Sequence, residues 1–119
     1  MSQFTIEPRG QGRAVLGGTG RLNAVAAPAF RALVAEATAS GLTRIAVDLS
    51  GISFIDSTGL GALVGALKTA RQAGGDLRIA APTAQVTMVL ELSNMDRVFR
   101  TYDSAEDALV FGAATGDGD

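Results

Sequence analysis

The chain has 119 residues, 47% of them apolar, with 12 acidic against 10 basic side chains and a net charge of −2. This is enough for one core in a single domain. With no Cys and no His, disulfides, thiolate chemistry, His-ligated metals and a Ser-His-Asp triad are all excluded. Nine of the ten bases are arginines, spread from Arg9 to Arg100 without a cluster. A nucleic-acid footprint is basic and concentrated on one face, so that partner is disfavoured. The opening "MSQFTIEPRG" has no basic stretch leading into an apolar one, so no signal peptide is expected. The longest apolar run, residues 60–67, is far short of the roughly 20 residues that span a bilayer. A cytoplasmic protein without a membrane segment is expected.

In chain order, "QFTIEP" reads as a short strand, "RGQG" as a turn, and "RAVLGGTGRL" as a second strand interrupted by Gly17, Gly18 and Gly20. A first helix is expected to begin near Ala26, with Pro28 in its first turn, where its missing N–H costs little. Phe30, Leu33, Val34 and Ala37 follow at helical spacing, and Gly41 stops the helix. "TRIAVDLS" alternates Ile45, Val47 and Leu49 as a strand, and Ile52 to Ile55 are strand-like. A second helix is expected from about Ser57 to Gln72, with Leu60, Leu63, Val64 and Leu67 on one stripe and glycines 74 and 75 ending it. "DLRIAA" is a further strand. Pro82 opens a third helix whose Val86, Val89 and Leu90 face inward, and "RVFRTY" reads as a last short strand. "SAEDALVFG" is a final helix, with Ser104 and Asp107 as an approximate capping box. The tail "AATGDGD", residues 113–119, has nothing to bury and is expected to be disordered. The alternation of strands and helices, with no internal repeat or linker, indicates one α/β domain over residues 1–112.

Three motif readings fail on their own chemistry. "GGTG" lacks the Gly-Lys-Ser/Thr ending of a phosphate loop, the only lysine being Lys68 inside the second helix; it reads as a bulged or twisted strand. "DSTG" has one residue too many between Asp56 and Gly59 for an aspartic-protease loop, and that chemistry needs a second carboxylate to share a proton. Asp48 lacks the acidic pair and the lysine that accompany a phosphoaspartate; it reads as a solvated strand-end carboxylate bonded to the following turn. An enzyme built from this chain would have only carboxylates, Lys68, Tyr102 and backbone groups to use, so none is expected.

There remains "FIDSTGLGAL", residues 54–63. A carboxylate and two hydroxyls interrupt two apolar segments where a helix follows a strand. Ser or Asp before an apolar helical stripe is the ordinary composition of an N-cap. A helix N-terminus also presents free N–H groups and the positive end of the helix dipole, a natural seat for a phosphate. Ser57 is thus either a cap or a hydroxyl available for modification, and the two roles are compatible.

In this context "VDLSGISFIDSTGLGALVGALKTARQAGGDLRIAAP" resembles the centre of the anti-sigma factor antagonists, stand-alone bacterial STAS domains. "GTGRLNAVAAPAF" sits where that family has a Gly-x-Leu-Asp segment, and "VLELSNMDRVFRTYDSAEDAL" resembles its closing helix, strand and helix. The resemblance spans roughly residues 3–112. It implies a mixed four- to five-stranded sheet with about four helices packed mainly on one face. It also implies a partner-switching protein, monomeric or weakly dimeric, with a role in transcription regulation and stress response. Such a protein binds an anti-sigma factor that is also a serine kinase, and so releases a sigma factor. Phosphorylation of the first motif serine, here Ser57, separates the complex, and a serine phosphatase reverses it. ATP and its metal belong to the kinase, so this chain carries no cofactor.

The expected partner surface comprises Asn23, Asp56, Thr58, Gly59, Gly61, Ala62 and Gly65. Thr58, Gly61, Ala62 and Gly65 form a ridge of small residues that serves either close packing against the sheet or docking. Two positions depart from the family pattern. Asn23 replaces an aspartate, removing a charge beside Ser57, and Ala26 stands where a Thr often caps the first helix. The alternative reading is an accessory STAS subunit that docks into a transporter or signalling assembly without a phosphorylation cycle.

Overall fold

The computed structural model describes residues 3–110. The polar tail expected at 113–119 lies outside the described residues. In chain order the elements are β1 (Gln3–Gly10), β2 (Arg13–Leu22), α1 (Ala27–Ala39), β3 (Arg44–Asp48), β4 (Ile52–Ile55), α2 (Ser57–Gln72), β5 (Asp76–Ala80), α3 (Ala84–Leu92), β6 (Thr101–Tyr102) and α4 (Ala105–Ala108). The sheet runs β1-β2-β3-β5-β6, with β4 paired to β2 off this path. Only β1 is antiparallel to its neighbour; the other pairings are parallel, so the sheet is mixed.

Six strands therefore replace the four to five expected. β4 has four residues and β6 has two; the sequence marks both, as strand-like Ile52 to Ile55 and within "RVFRTY", so only the count implied by the resemblance falls short. Most of "RVFRTY" is not strand. Asn94 adopts the left-handed conformation (φ 61°) just past α3, the usual way a helix is stopped. Met95–Arg97 then make one 3-10 turn, and Phe99 drops into the core at 2% exposure.

The period-two pattern of the strands decides what covers each face. Ile45 and Val47 of β3, with Leu77 and Ile79 of β5, point into the main core with Phe30 and Val34 of α1, Leu63 and Leu67 of α2, and Val86 and Leu90 of α3. Ala46 and Ala80, on the opposite face, meet Ala105, Ala108 and Leu109 around α4. Three helices thus share one face and α4 takes the other. The small side chains of Ala46 and Ala80 suit the approach of so short a helix.

The glycine-rich half of β2 is where the strand changes partner. Arg13–Gly17 pair with β3; Gly20–Leu22 pair with β4, with a register shift between Gly20 and Arg21. Gly51, in the turn before β4, lies so close to β2 that a Cβ on it would strike the Gly18 carbonyl oxygen. The "GGTG" stretch is therefore a bend in a strand. By turning β2 toward β4, it brings the starts of α1 and α2, which follow these two parallel neighbours, to one end of the sheet.

Candidate functional site

β4 ends at Ile55, buried to 1% exposure, and Asp56 follows in extended conformation (φ −110°, ψ −173°) as the N-cap of α2. Asp56 Oδ1 accepts the Gly59 N–H at 2.8 Å, and its carbonyl accepts the Leu60 N–H at 2.8 Å. The cap is therefore the carboxylate, and Ser57 is the first residue inside the helix. Ser57 is thus not the cap of α2. Because Asp56 holds the cap, the exposed Ser57 hydroxyl makes no hydrogen bond among the described residues, and neither does that of exposed Thr58. The Ser57 and Thr58 N–H groups are also unbonded there, at the positive end of the helix dipole.

The ridge expected along α2 divides. Gly59 and Ala62 are buried, which removes both from any direct partner contact. Gly59 lies against β2, where a Cβ would collide with the Leu22 carbonyl oxygen and press on Ile55. Thr58 and Gly61 are exposed and Gly65 is half-buried; the spacing of three and four residues puts them along one outward side. Nothing lies within 4 Å of where a Cβ on Gly61 or Gly65 would be. Packing does not require glycine at either position.

Asn23 leaves β2 next to Leu22 and is half-buried. Its Oδ1 accepts the Val25 and Ala26 N–H groups, each at 3.1 Å, and its carbonyl accepts the Ala27 N–H at 2.8 Å. Asn23 thus caps the turn that leads into α1, the task Ala26 cannot perform. Leu22 joins the two helix starts, since its carbonyl accepts the Asp56 N–H at 3.4 Å. The structure brings Asn23, Asp56, Ser57 and Thr58 to the same end of the sheet. Beside them Val25 is 88% exposed, and Phe54 is 40% exposed beneath the Arg21 guanidinium, 5.9 Å from its ring centre.

Gln85 of α3 was not apparent from the sequence. Its Oε1 accepts the Ile55 N–H at 3.0 Å and its Nε2 donates to the Ile55 carbonyl at 3.3 Å. Nearby, the Thr83 hydroxyl donates to the Ile52 carbonyl at 3.2 Å while accepting the Val86 N–H as the cap of α3. Pro82, expected to open this helix, precedes the Thr83 cap, and the helix begins at Ala84. The Gln85 contact, across 30 positions, has no local signature. Among the described residues no three or more acidic side chains are grouped so as to hold a metal ion, and no helix is long and apolar enough to cross a membrane.

Comparison with known proteins agrees with this architecture. A Thermotoga maritima protein named "Putative anti-sigma factor antagonist" is 36% identical over 69 residues, 58% of this chain and 61% of its own length. The anti-sigma F factor antagonist of Paenibacillus polymyxa is 31% identical over 66 residues, 56% of each chain. The matched stretches thus span about three-fifths of these curated relatives. The crystal structure of the Thermotoga maritima protein superposes with a TM-score of 0.80 at 30% identity, covering 88% of this chain and 90% of that one. The STAS domain model matches residues 5–108, from within β1 to the end of α4, and the chain belongs to the STAS domain family.

Proposed function

We propose that this chain is an anti-sigma factor antagonist controlled by phosphorylation of Ser57. It binds an anti-sigma factor with serine kinase activity and thereby frees a sigma factor. Transfer of phosphate to Ser57 ends the interaction, and a serine phosphatase restores the binding form. The chain acts in the cytoplasm as substrate and partner, not as an enzyme; the nucleotide and its metal are the kinase's. The names of the relatives support the general role. The structural support for the site is that, with Asp56 as the cap, the Ser57 hydroxyl is exposed and unengaged at a helix mouth; Thr58 is equally open, and Ser57 is preferred to it as the first serine of the family's motif.

The same geometry supports a mechanism that leaves the fold intact. A phosphate adds a charge of about −1.5 to −2. On the first residue of α2 that charge meets unbonded N–H groups and the favourable end of the dipole, so it does not melt the helix. It acts on the docking surface, to which Asn23, Asp56, Thr58, Gly61 and Gly65 contribute. There the phosphate must be desolvated against a partner while lying next to the Asp56 carboxylate. Each ~1.4 kcal/mol of such penalty lowers affinity tenfold, so a modest one suffices.

The test is incubation of the full chain with candidate anti-sigma kinases and Mg-ATP, followed by intact mass and peptide mapping. A single phosphate on Ser57 is expected. Phosphate on Thr58 or Ser53 contradicts the assignment. A stable complex with a transporter or signalling assembly, without phosphate transfer from any candidate, supports the accessory-subunit reading instead.

A further inference from the structure

We propose that Gln85 is a positioning residue for the phosphoacceptor, acting through Ile55; the proposal rests on the reading of Ser57 given above. β4 is hydrogen-bonded as a strand to β2 alone. Its other edge would leave peptide groups without a partner, and buried peptide groups need one. α3 supplies it with side chains. A primary amide carries a donor and an acceptor side by side, the same pair that the backbone of a neighbouring strand offers. Gln85 sets this pair against the N–H and C=O of one residue, at 3.0 and 3.3 Å, while Thr83 takes the Ile52 carbonyl at 3.2 Å.

Successive residues of a strand direct their peptide groups to alternate edges. Asp56 N–H points to β2 and reaches Leu22 O at 3.4 Å, beyond the usual range for a strong bond. Ile55 points the other way, to Gln85. The junction that carries Asp56 and Ser57 is therefore pinned from both edges, and the amide pair is the shorter attachment. Gln85 is half-buried, so water competes poorly for these bonds. Without them Ile55 is free to fray, and the Ser57 hydroxyl loses its fixed direction although it never touches Gln85.

Two variants separate positioning from bulk stability. Gln85→Met keeps the length of the side chain and removes both bonds. Gln85→Glu keeps the acceptor, loses the donor while ionised, and regains one when protonated. Val89→Ala serves as control, since it removes packing from the same helix and leaves the amide pair intact. Amide hydrogen exchange on the full chain, expressed as protection factors to remove the intrinsic pH effect, is followed at Ile55, Gly59 and Leu60. Gln85→Met is expected to lower protection there by roughly tenfold, as for the loss of two neutral hydrogen bonds, with β3 and β5 unchanged. Gln85→Glu is expected to recover protection in acid, which a role in filling space would not produce. With a kinase that modifies the wild-type chain, kcat/KM for Gln85→Met should fall by about the same factor.

Loss of protection spread evenly over the chain, as in Val89→Ala, overturns the proposal. So does a wild-type phosphorylation rate in a Gln85→Met protein whose Ile55 amide has opened. Failure of kinases to modify wild-type Ser57 counts against the function proposed for the site, whereas the exchange data still decide whether Gln85 holds the junction.

Discussion

Gly59 rests against the carbonyl of Leu22, the same oxygen that accepts the Asp56 N–H. The start of α2 and the end of β2 are thereby locked together at a contact with no room for a methyl group. Gly59→Ala must push the two apart. It is expected to destabilise the protein by about 1–3 kcal/mol, the usual range for overpacking, read as a lower midpoint in urea unfolding. A neutral effect would mean that the helix start is not held against β2.

The capping assignment gives a clear ordering. Asp56→Ala removes the acceptor for Gly59 N–H and should cost about 0.5–2 kcal/mol. Ser57→Ala removes a hydroxyl with no partner among the described residues and should stay within about 0.5 kcal/mol of wild type, as for an ordinary surface change. Urea denaturation of both variants checks the order. A larger loss from Ser57→Ala would return the cap to the serine.

The sequence exposed the long elements because their patterns are regular. Phe30, Val34 and Ala37 in α1, and Leu63 and Leu67 in α2, repeat at helical spacing and are buried as expected. It was ambiguous at the cap, since Asp56 and Ser57 are both good cap residues and only backbone conformation distinguishes them. It did not reveal the half-buried state of Asn23, nor which of the small residues on α2 face the core. Gly61 and Ala62 are neighbours of similar size, yet the first is exposed and the second buried. The Gln85–Ile55 pairing was invisible because it depends on how α3 folds back over β4.

Asn23→Asp tests whether position 23 belongs to the kinase contact. A carboxylate can accept the same Val25 and Ala26 N–H groups, so the fold should be kept, with stability unchanged or raised by ~0.3–1 kcal/mol from the added charge at a helix start. Phosphorylation kinetics should change. Identical rates for both proteins with the kinase that recognises this chain would exclude the position from the contact.

Gly61 and Gly65 offer the converse experiment. Each has open space where a Cβ would sit, and alanine is the better helix former by about 0.8–1 kcal/mol. Gly61→Ala and Gly65→Ala should therefore raise the thermal midpoint while weakening anti-sigma binding, since the added methyl groups stand on the proposed docking surface. Greater stability with undiminished affinity would remove this side of α2 from the interface.

The central claim is that charge at Ser57 breaks an interface without disturbing the fold, and Ser57→Glu tests it most directly. Calorimetric melting and titration with the anti-sigma kinase should be run on the same preparation. The thermal midpoint should be unchanged or slightly higher, because a negative charge in the first turn gains ~0.3–1 kcal/mol from the dipole at exposed sites. Affinity should fall, if only partly, as the substitution carries about half a phosphate's charge. Loss of affinity accompanied by a matching loss of stability would contradict the account, for the charge would then act by unfolding the start of α2.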